Sequence, residues 1–177
     1  MDLKSRIRAI PDFPKKGIVF RDITPLLLDG KAFRFAVDQI AEHFNDKKVN
    51  KILGAEARGF IFGAACAYRM GIGFIPARKP GKLPCKTSRM EYGLEYGVDA
   101  LEIHYDAIKP GDRVLIIDDL AATGGTAKAK TKLVEQEGGT VVGIAFVIEL
   151  SYLKPRELLR GYDIFTLIEF SSEEEGI

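Results

Sequence analysis

Residues 113–128 read RVLIIDDLAATGGTAK, and this stretch limits the possible folds more than any other. The apolar run Val114-Leu115-Ile116-Ile117 has the length and branching of a buried strand. It ends in two adjacent carboxylates, Asp118 and Asp119. A loop of small residues follows, Ala121-Ala122-Thr123-Gly124-Gly125-Thr126, and then a helical pattern begins. In an open α/β sheet the ligand lies beyond the carboxyl ends of the strands. Gly124 and Gly125 let the backbone wrap closely around it. The first amides of the helix, with the Thr123 and Thr126 hydroxyls, can hold a phosphate. Two carboxylates would repel a phosphate alone, and the combination makes sense if the ligand also carries hydroxyls for them to accept from. The pattern therefore asks for a phosphorylated ribose. It is not a Walker A loop, since no Gly-Lys-Ser/Thr closes it, and it is not a G-x-G-x-x-G fingerprint.

Composition sets the outer bounds. A chain of 177 residues is long enough for one well-buried domain and short for two. With 46% hydrophobic and 29% charged residues it has the make-up of an ordinary globular protein. The net charge of +1 gives no reason to expect nucleic-acid or membrane binding. Cys66, in an apolar helical pattern, and Cys85, in a polar loop, suit neither a disulfide framework nor a zinc site. No signal peptide or apolar run near 20 residues is visible, and a cytoplasmic location is expected.

Along the chain, helical and strand patterns alternate. Residues 3–10 read as a short amphipathic helix ended by Pro11 and Pro14, and a loop runs from Gly17 to Thr24. Helices are expected over 31–44, 59–70 (capped by Gly71), 126–136 and 153–159. Strands are expected over 51–55, 72–77, 101–105, 114–117, 141–148 and 164–168. Residues 78–97, RKPGKLPCKTSRMEYGLEYG, show no clear pattern and read as a long functional loop. The tail, SSEEEGI (171–177), is polar and acidic and reads as disordered or solvated. The alternation implies a mostly parallel sheet with helices on both faces.

The run from the apolar strand through Asp118-Asp119 to Thr-Gly-Gly-Thr resembles, without a gap, the phosphoribosyl-pyrophosphate motif of type I phosphoribosyltransferases. That resemblance implies their α/β core with a small hood, here built from about residues 1–30 of a single domain. Asp118 and Asp119 would hold the ribose hydroxyls, and Ala122, Thr123, Gly124, Gly125 and Thr126 the 5′-phosphate.

FPKKGIVFRDITPLL (13–27) resembles the N-terminal signature of the adenine phosphoribosyltransferases. It implies that the Phe20 ring stacks on the base while backbone groups of Val19 and Arg21 read its edge. ILGAEARGFIFG (52–63) matches the turn that meets pyrophosphate. By resemblance Glu56, Ala57 and Arg58 lie there, with a cis Glu56–Ala57 peptide and Arg58 acting in catalysis. Lys79 and Lys82, in RKPGKLP, would face the leaving pyrophosphate together with Mg²⁺ carried on it, no residue ligating the metal directly. YGLEYG (92–97) resembles the flap, which assigns Tyr92, Glu95 and Tyr96 to it and the catalytic acid/base to Glu95, with Glu91 as the other choice of register. Leu150, in IELSYL, would cover the second face of the base; from the residues alone it reads as core.

The resemblance, which runs from about Phe13 to Phe170, implies purine salvage: adenine and phosphoribosyl pyrophosphate giving AMP and pyrophosphate, in a homodimer. Two alternatives stand beside it. One is a 6-oxopurine phosphoribosyltransferase, since the phosphate loop reads the sugar and not the base. The other is a sensor of phosphoribosyl pyrophosphate without turnover.

Overall fold

The computed structural model describes residues 1–94 and 97–176. It opens with two short antiparallel strands, β1 (Arg8–Ile10) and β2 (Phe20–Asp22), and a one-turn helix, α1 (Thr24–Leu28). The alternating part follows: α2 (Gly30–His43), β3 (Lys51–Ala55), α3 (Arg58–Met70) and β4 (Gly73–Ala77). A hairpin of β5 (Thr87–Leu94) and β6 (Gly97–His104) leads to β7 (Arg113–Ala121), α4 (Gly125–Gln136), β8 (Thr140–Leu150), α5 (Pro155–Leu158) and β9 (Ile164–Phe170). β3, β4, β7, β8 and β9 form one parallel sheet in the order β4-β3-β7-β8-β9.

Strand β7 shows why this sheet is covered twice. Successive side chains point to opposite faces of a strand. Leu115 and Ile117 enter one core with Ile40 of α2, Phe44 just beyond its end, and Phe62 and Cys66 of α3. Val114 and Ile116 enter the other, with Leu133 and Val134 from α4 and Leu101 and Ile103 from β6. All four β7 residues are fully buried, and each such side chain stabilises the fold by roughly 1.5–3 kcal/mol. Two of the helices are delimited by local chemistry. The Asp29 carboxylate accepts from the amides of Lys31 and Ala32 at 3.0 and 3.1 Å, which caps α2. Gly71, at φ 68°, closes α3 in the left-handed conformation that glycine adopts without a steric penalty.

The structure departs from the sequence reading in five places. Residues 3–10 are a 3-10 turn, Lys4–Arg6, followed by β1, because Arg8–Ile10 pairs with Phe20–Asp22 inside the expected 17–24 loop. Tertiary pairing overrides a weak helical pattern there. The irregular 78–97 segment contains β5, whose Met90 and Tyr92 pack inward while Arg89 and Glu91 stay exposed. Strand β7 extends past Ile117, pairing Asp118 with Phe146 and Leu120 with Ile148. The helix expected over 153–159 shrinks to α5, since Lys154 is left-handed (φ 52°) and Pro155 starts the helix.

The tail is not merely solvated. Arg21, 2% exposed, donates to the carbonyl oxygens of Glu175 (2.6 Å) and Glu173 (2.8 Å) and lies over the Phe170 ring at 4.0 Å. Lys4 pairs with the Glu175 carboxylate, holding it well below its ordinary range, down to about 2. Arg21→Ala should therefore release the tail and lower unfolding stability by about 2–3 kcal/mol, the worth of hydrogen bonds from a charged group. Chemical denaturation, with limited proteolysis after Phe170, checks this, and an unchanged midpoint and cleavage pattern would sink it.

Candidate active site

The site gathers at the carboxyl ends of β3 and β7. Strand alternation sends the two adjacent carboxylates to opposite sides. Asp119 turns toward α3, where its Oδ2 lies 2.9 Å from Arg58 Nε. That contact is an ion pair off the line of a hydrogen bond: Oδ2 is buried and accepts no hydrogen bond among the described residues. Asp118 turns toward α4, with its Oδ2 2.5 Å from Lys130 Nζ and its Oδ1 accepting the Asp119 amide at 3.0 Å. Burial, and then the neighbouring Asp118 carboxylate, push the Asp119 carboxyl up to about 7, against the pull of Arg58.

The small-residue loop turns at Gly124, where φ is 89°, and α4 begins at Gly125. A cavity of about 200 Å³ is lined by Asp118, Leu120, the residues 121–127 and Phe146. The first amides of a 12-residue helix thus lie at a partly open cavity with room for a phosphate. The β5 strand reaches the same place, since the Gly93 carbonyl and the Tyr92 ring lie beside Gly125.

The Glu56–Ala57 peptide is cis, as the resemblance implies. The Glu56 carboxylate accepts from the Lys79 amide at 2.5 Å and from Arg78 at 3.2 Å, and the Lys79 amide chiefly holds its carboxyl below the usual range. Glu56 therefore braces the 78–79 backbone. The Lys79 ammonium pairs with Asp99 and lies 3.3 Å from the Tyr92 hydroxyl, which itself donates to Asp99 at 3.0 Å. Lys82 is exposed.

On the base side, the Arg58 guanidinium lies over the Phe20 ring at 5.0 Å, and its Nη1 approaches the Arg21 carbonyl at 3.4 Å. Phe13 packs edge-on against Phe20 at 5.2 Å. The Val19 amide donates to the Glu173 carboxylate at 3.3 Å. Leu150 is 7% exposed, within the core that includes Ile168 and Phe170. The structure thus brings Phe20, Arg21, Arg58 and Asp119 into one chain of contacts and keeps Lys79 in a separate cluster with Tyr92 and Asp99. Glu95 and Tyr96 lie outside the described residues. Sequence reasoning passed over Lys130. Its signal was helical spacing: Ala127, Lys130, Leu133 and Val134 share the buried face of α4.

A parallel α/β sheet that ends in a paired-carboxylate, glycine-turn, helix site matches one class of protein. The family model for the phosphoribosyl transferase domain covers residues 26–174. The chain belongs to this phosphoribosyltransferase family. An adenine phosphoribosyltransferase of Clostridium perfringens (strain 13 / Type A) is 62% identical over 170 residues, 96% of this chain and 99% of that one. The crystal structure of the adenine phosphoribosyltransferase from Thermoanaerobacter pseudethanolicus aligns with a TM-score of 0.93 at 56% identity, over 96% of this chain and 98% of that one. The Saccharomyces cerevisiae enzyme, solved with an imino-altritol bisphosphate and adenine, aligns with a TM-score of 0.89 at 40% identity, over 94% and 96%. Within the family, the chain belongs to the adenine phosphoribosyltransferases.

Proposed function

We propose that the chain transfers the 5-phosphoribosyl group of phosphoribosyl pyrophosphate to adenine, giving AMP and pyrophosphate. The observation that carries this reading is the shared site of Asp119, Arg58 and Phe20, with Asp118 beside it lining the loop cavity at the start of α4. Ala122, Thr123, Gly124, Gly125 and Thr126 hold the 5′-phosphate, and Asp119, with Asp118 beside it, accepts from the ribose hydroxyls. Arg58 leaves its ion pair with Asp119 and its place over Phe20 to meet the pyrophosphate. That exchange frees the Phe20 face for the base and the Asp119 oxygen for the sugar. Val19, Arg21 and Leu150 complete the base pocket. Binding there needs the Val19 amide to let go of Glu173.

In the reaction the bond from ribose C1 to the pyrophosphate oxygen breaks, the bond from C1 to adenine N9 forms, and the N9 proton leaves. Arg58, Lys79 and Lys82 stabilise the charge developing on the pyrophosphate. Asp99 and Tyr92 hold the Lys79 ammonium until then. Glu56 and Ala57 shape the turn that receives the leaving group.

Mg²⁺ would be carried on the oxygens of the substrate's pyrophosphate, at the turn of Glu56, Ala57 and Arg58 and near Lys79, with no residue ligating it directly. Carried in this way, Mg²⁺ would supply neutralising charge to the leaving group. We place Glu95 as the acid/base on a flap with Tyr92 and Tyr96. A flap closed over the site would exclude water that could hydrolyse the activated sugar. We also propose a single domain with a hood from about residues 1–30, a homodimer, a cytoplasmic location, and neither nucleic acid nor membrane as partner. Among the described residues no helix is long and apolar enough to cross a membrane.

The test is nucleotide formation from adenine, phosphoribosyl pyrophosphate and Mg²⁺, with hypoxanthine, guanine and xanthine alongside. AMP from adenine with little product from the others supports the reading. Product from a 6-oxopurine instead keeps the phosphate site and overturns the base pocket. Binding of phosphoribosyl pyrophosphate without turnover of any base makes the chain a sensor. Glu95→Gln should slow turnover by about 100-fold, the typical worth of a positioned acid or base, and leave adenine affinity nearly unchanged. Full turnover in that variant removes Glu95 from the mechanism.

A further inference from the structure

We propose that Arg156 and Glu149 are positioning residues for the 5′-phosphate: their forked ion pair holds the one-turn helix α5 against the glycine turn at Gly124 and so fixes the loop that receives the phosphate. The inference rests on the phosphate-loop reading above and adds the residues that keep that loop in shape.

Gly124 is where the loop turns into α4, and its open side faces α5. A Cβ there would stand 3.0 Å from the Pro155 carbonyl oxygen and 3.4 Å from the Pro155 Cα. Pro155 is buried and begins α5. Four residues are too few for a helix to hold itself, and Lys154 before them is left-handed, so contacts from elsewhere set where α5 lies. Arg156 supplies them. Its Nε donates to Glu149 Oε1 at 2.8 Å, and its Nη2 donates to Glu149 Oε2 at 2.8 Å. The Thr166 hydroxyl of β9 donates to the same Oε2 at 2.8 Å. Glu149, near the end of β8, is 3% exposed and lies across from Ala121, the residue at which β7 gives way to the loop. The pair thus ties the strand end beside the loop to the helix that touches its turn.

A buried carboxylate is costly, and well-packed apolar groups of similar volume often serve stability as well or better. Leu159, fully buried just past α5, already supplies such a contact. What an apolar contact lacks is direction. The two parallel bonds of a guanidinium fork fix angle as well as distance. Burial raises the Glu149 carboxyl, but the bonds from Arg156 and Thr166 outweigh it and keep the group below its ordinary range, hence charged. A phosphate site built on backbone amides has need of this bracing. The amides bind together only while the turn keeps its shape, and a small misplacement of a positioning group is costly. Glycine at 124 gives the turn its positive φ and lets α5 come close, but it is also the least stiff residue the turn could have.

The experiment uses the full chain as wild type, Arg156→Met, Arg156→Lys, Arg156→Met combined with Glu149→Gln, and Glu157→Gln. Calorimetry with ribose 5-phosphate, adenine and pyrophosphate reads the three parts of the site separately. KM for phosphoribosyl pyrophosphate and the melting temperature are measured alongside. Arg156→Met should weaken ribose 5-phosphate binding by about tenfold, the worth of one hydrogen bond from the loop, and raise KM for phosphoribosyl pyrophosphate by a similar factor. Affinities for adenine and pyrophosphate should stay within about twofold, as for sites that share no partner. Arg156→Lys keeps the charge and loses the fork, so it should fall between wild type and Arg156→Met. Glu157→Gln breaks the exposed Lys154–Glu157 pair on the same helix and should leave all three affinities unchanged.

If Arg156→Met does not fold, the double variant carries the test, since it removes the fork and leaves no charge unpaired. It should show the same selective loss. If neither folds, Arg156→Lys carries it. Wild-type affinity for ribose 5-phosphate in the folded variant that carries the test overturns the inference. An equal loss for all three ligands does so too, because it marks a general loosening of the fold. So does a loss in Glu157→Gln as large as that in Arg156→Met. Failure of the wild type itself to bind ribose 5-phosphate and phosphoribosyl pyrophosphate would instead remove the phosphate-loop reading.

Discussion

Asp119→Asn is expected to lower kcat/KM for phosphoribosyl pyrophosphate by about 100-fold, close to 3 kcal/mol, the upper end for a hydrogen bond to a charged group. The amide keeps the shape of the carboxylate and one acceptor oxygen. It loses the charge that shortens and strengthens the bonds from sugar hydroxyls. It also loses the ion pair that parks Arg58, so Arg58 should become more mobile in the free protein. Adenine affinity measured alone should not fall, because the 19–21 backbone is untouched and a loosened Arg58 covers the Phe20 ring less. Calorimetry with phosphoribosyl pyrophosphate, followed by steady-state kinetics, checks both halves. Unchanged sugar-phosphate binding would falsify the assignment.

A pH dependence follows from the same carboxyl. Its folded value is raised to about 7, by burial first and by Asp118 second, whereas an unfolded aspartate titrates near 3.9. Between those two values the folded chain holds a proton that the unfolded chain has released. This group therefore makes stability fall as pH rises from about 4 to about 7, and its unfavourable contribution is complete above that window. Ligand binding runs the other way. The sugar hydroxyls need a charged acceptor, so kcat/KM for phosphoribosyl pyrophosphate should rise through pH 7. The substrate phosphates also titrate, near 6, so the comparison with Asp119→Asn isolates the protein's share. Identical profiles in the two proteins would show that Asp119 does not titrate in this range.

Gly59→Ala is the second large expectation. Glycine to alanine inside a helix ordinarily stabilises by about 0.5–1 kcal/mol. Here the new Cβ would stand 2.5 Å from Asp118 Oδ1 and 3.5 Å from the Ile117 carbonyl. Asp118 cannot yield easily, because Lys130 and the Asp119 amide hold it from the other side. Either α3 moves away from β7 or the carboxylate leaves its place. Overpacking of this kind costs about 1–3 kcal/mol, enough to reverse the helix gain. Since α3 also carries Arg58, the same shift misplaces the pyrophosphate side. Stability should fall by about 1–2 kcal/mol, and kcat/KM for phosphoribosyl pyrophosphate by at least about tenfold, the rate equivalent of a further 1.4 kcal/mol. Gly71→Ala, at the far end of the same helix where nothing lies within 4 Å, serves as the control. That variant should lose stability through its positive φ while keeping substrate affinity. Wild-type kinetics in Gly59→Ala would mean that the β7–α3 contact has slack.

Much of the core was legible because local physics and tertiary context agree there. Helix α2 shows its stripe of Ala36, Val37, Ile40 and Ala41, with Asp29 to start it. Strand β3 falls at Lys51–Ala55, as its pattern indicated. The sugar-phosphate loop could be found without a structure because its chemistry is contiguous: strand, carboxylates, glycine turn and helix amides follow one another in sixteen residues of text. Where pairing decides the conformation, the text was silent. Arg8–Ile10 and Thr87–Leu94 carry weak patterns of their own and become strands only against Phe20–Asp22 and Gly97–His104.

The sequence by itself therefore determined the α/β class, the phosphate loop, and the presence of two acids beside it, because each is written in neighbouring residues. Only the tertiary structure decided which partner each acid takes. Strand alternation turned Asp118 to Lys130 and Asp119 to Arg58, from helices that the sheet packs on its opposite faces. It also decided that Arg21 uses its side chain to fasten the acidic tail while its carbonyl meets Arg58. Such pairings depend on which distant elements pack together. Long-range contacts of this kind are made when apolar faces are buried, and no local run of residues encodes them.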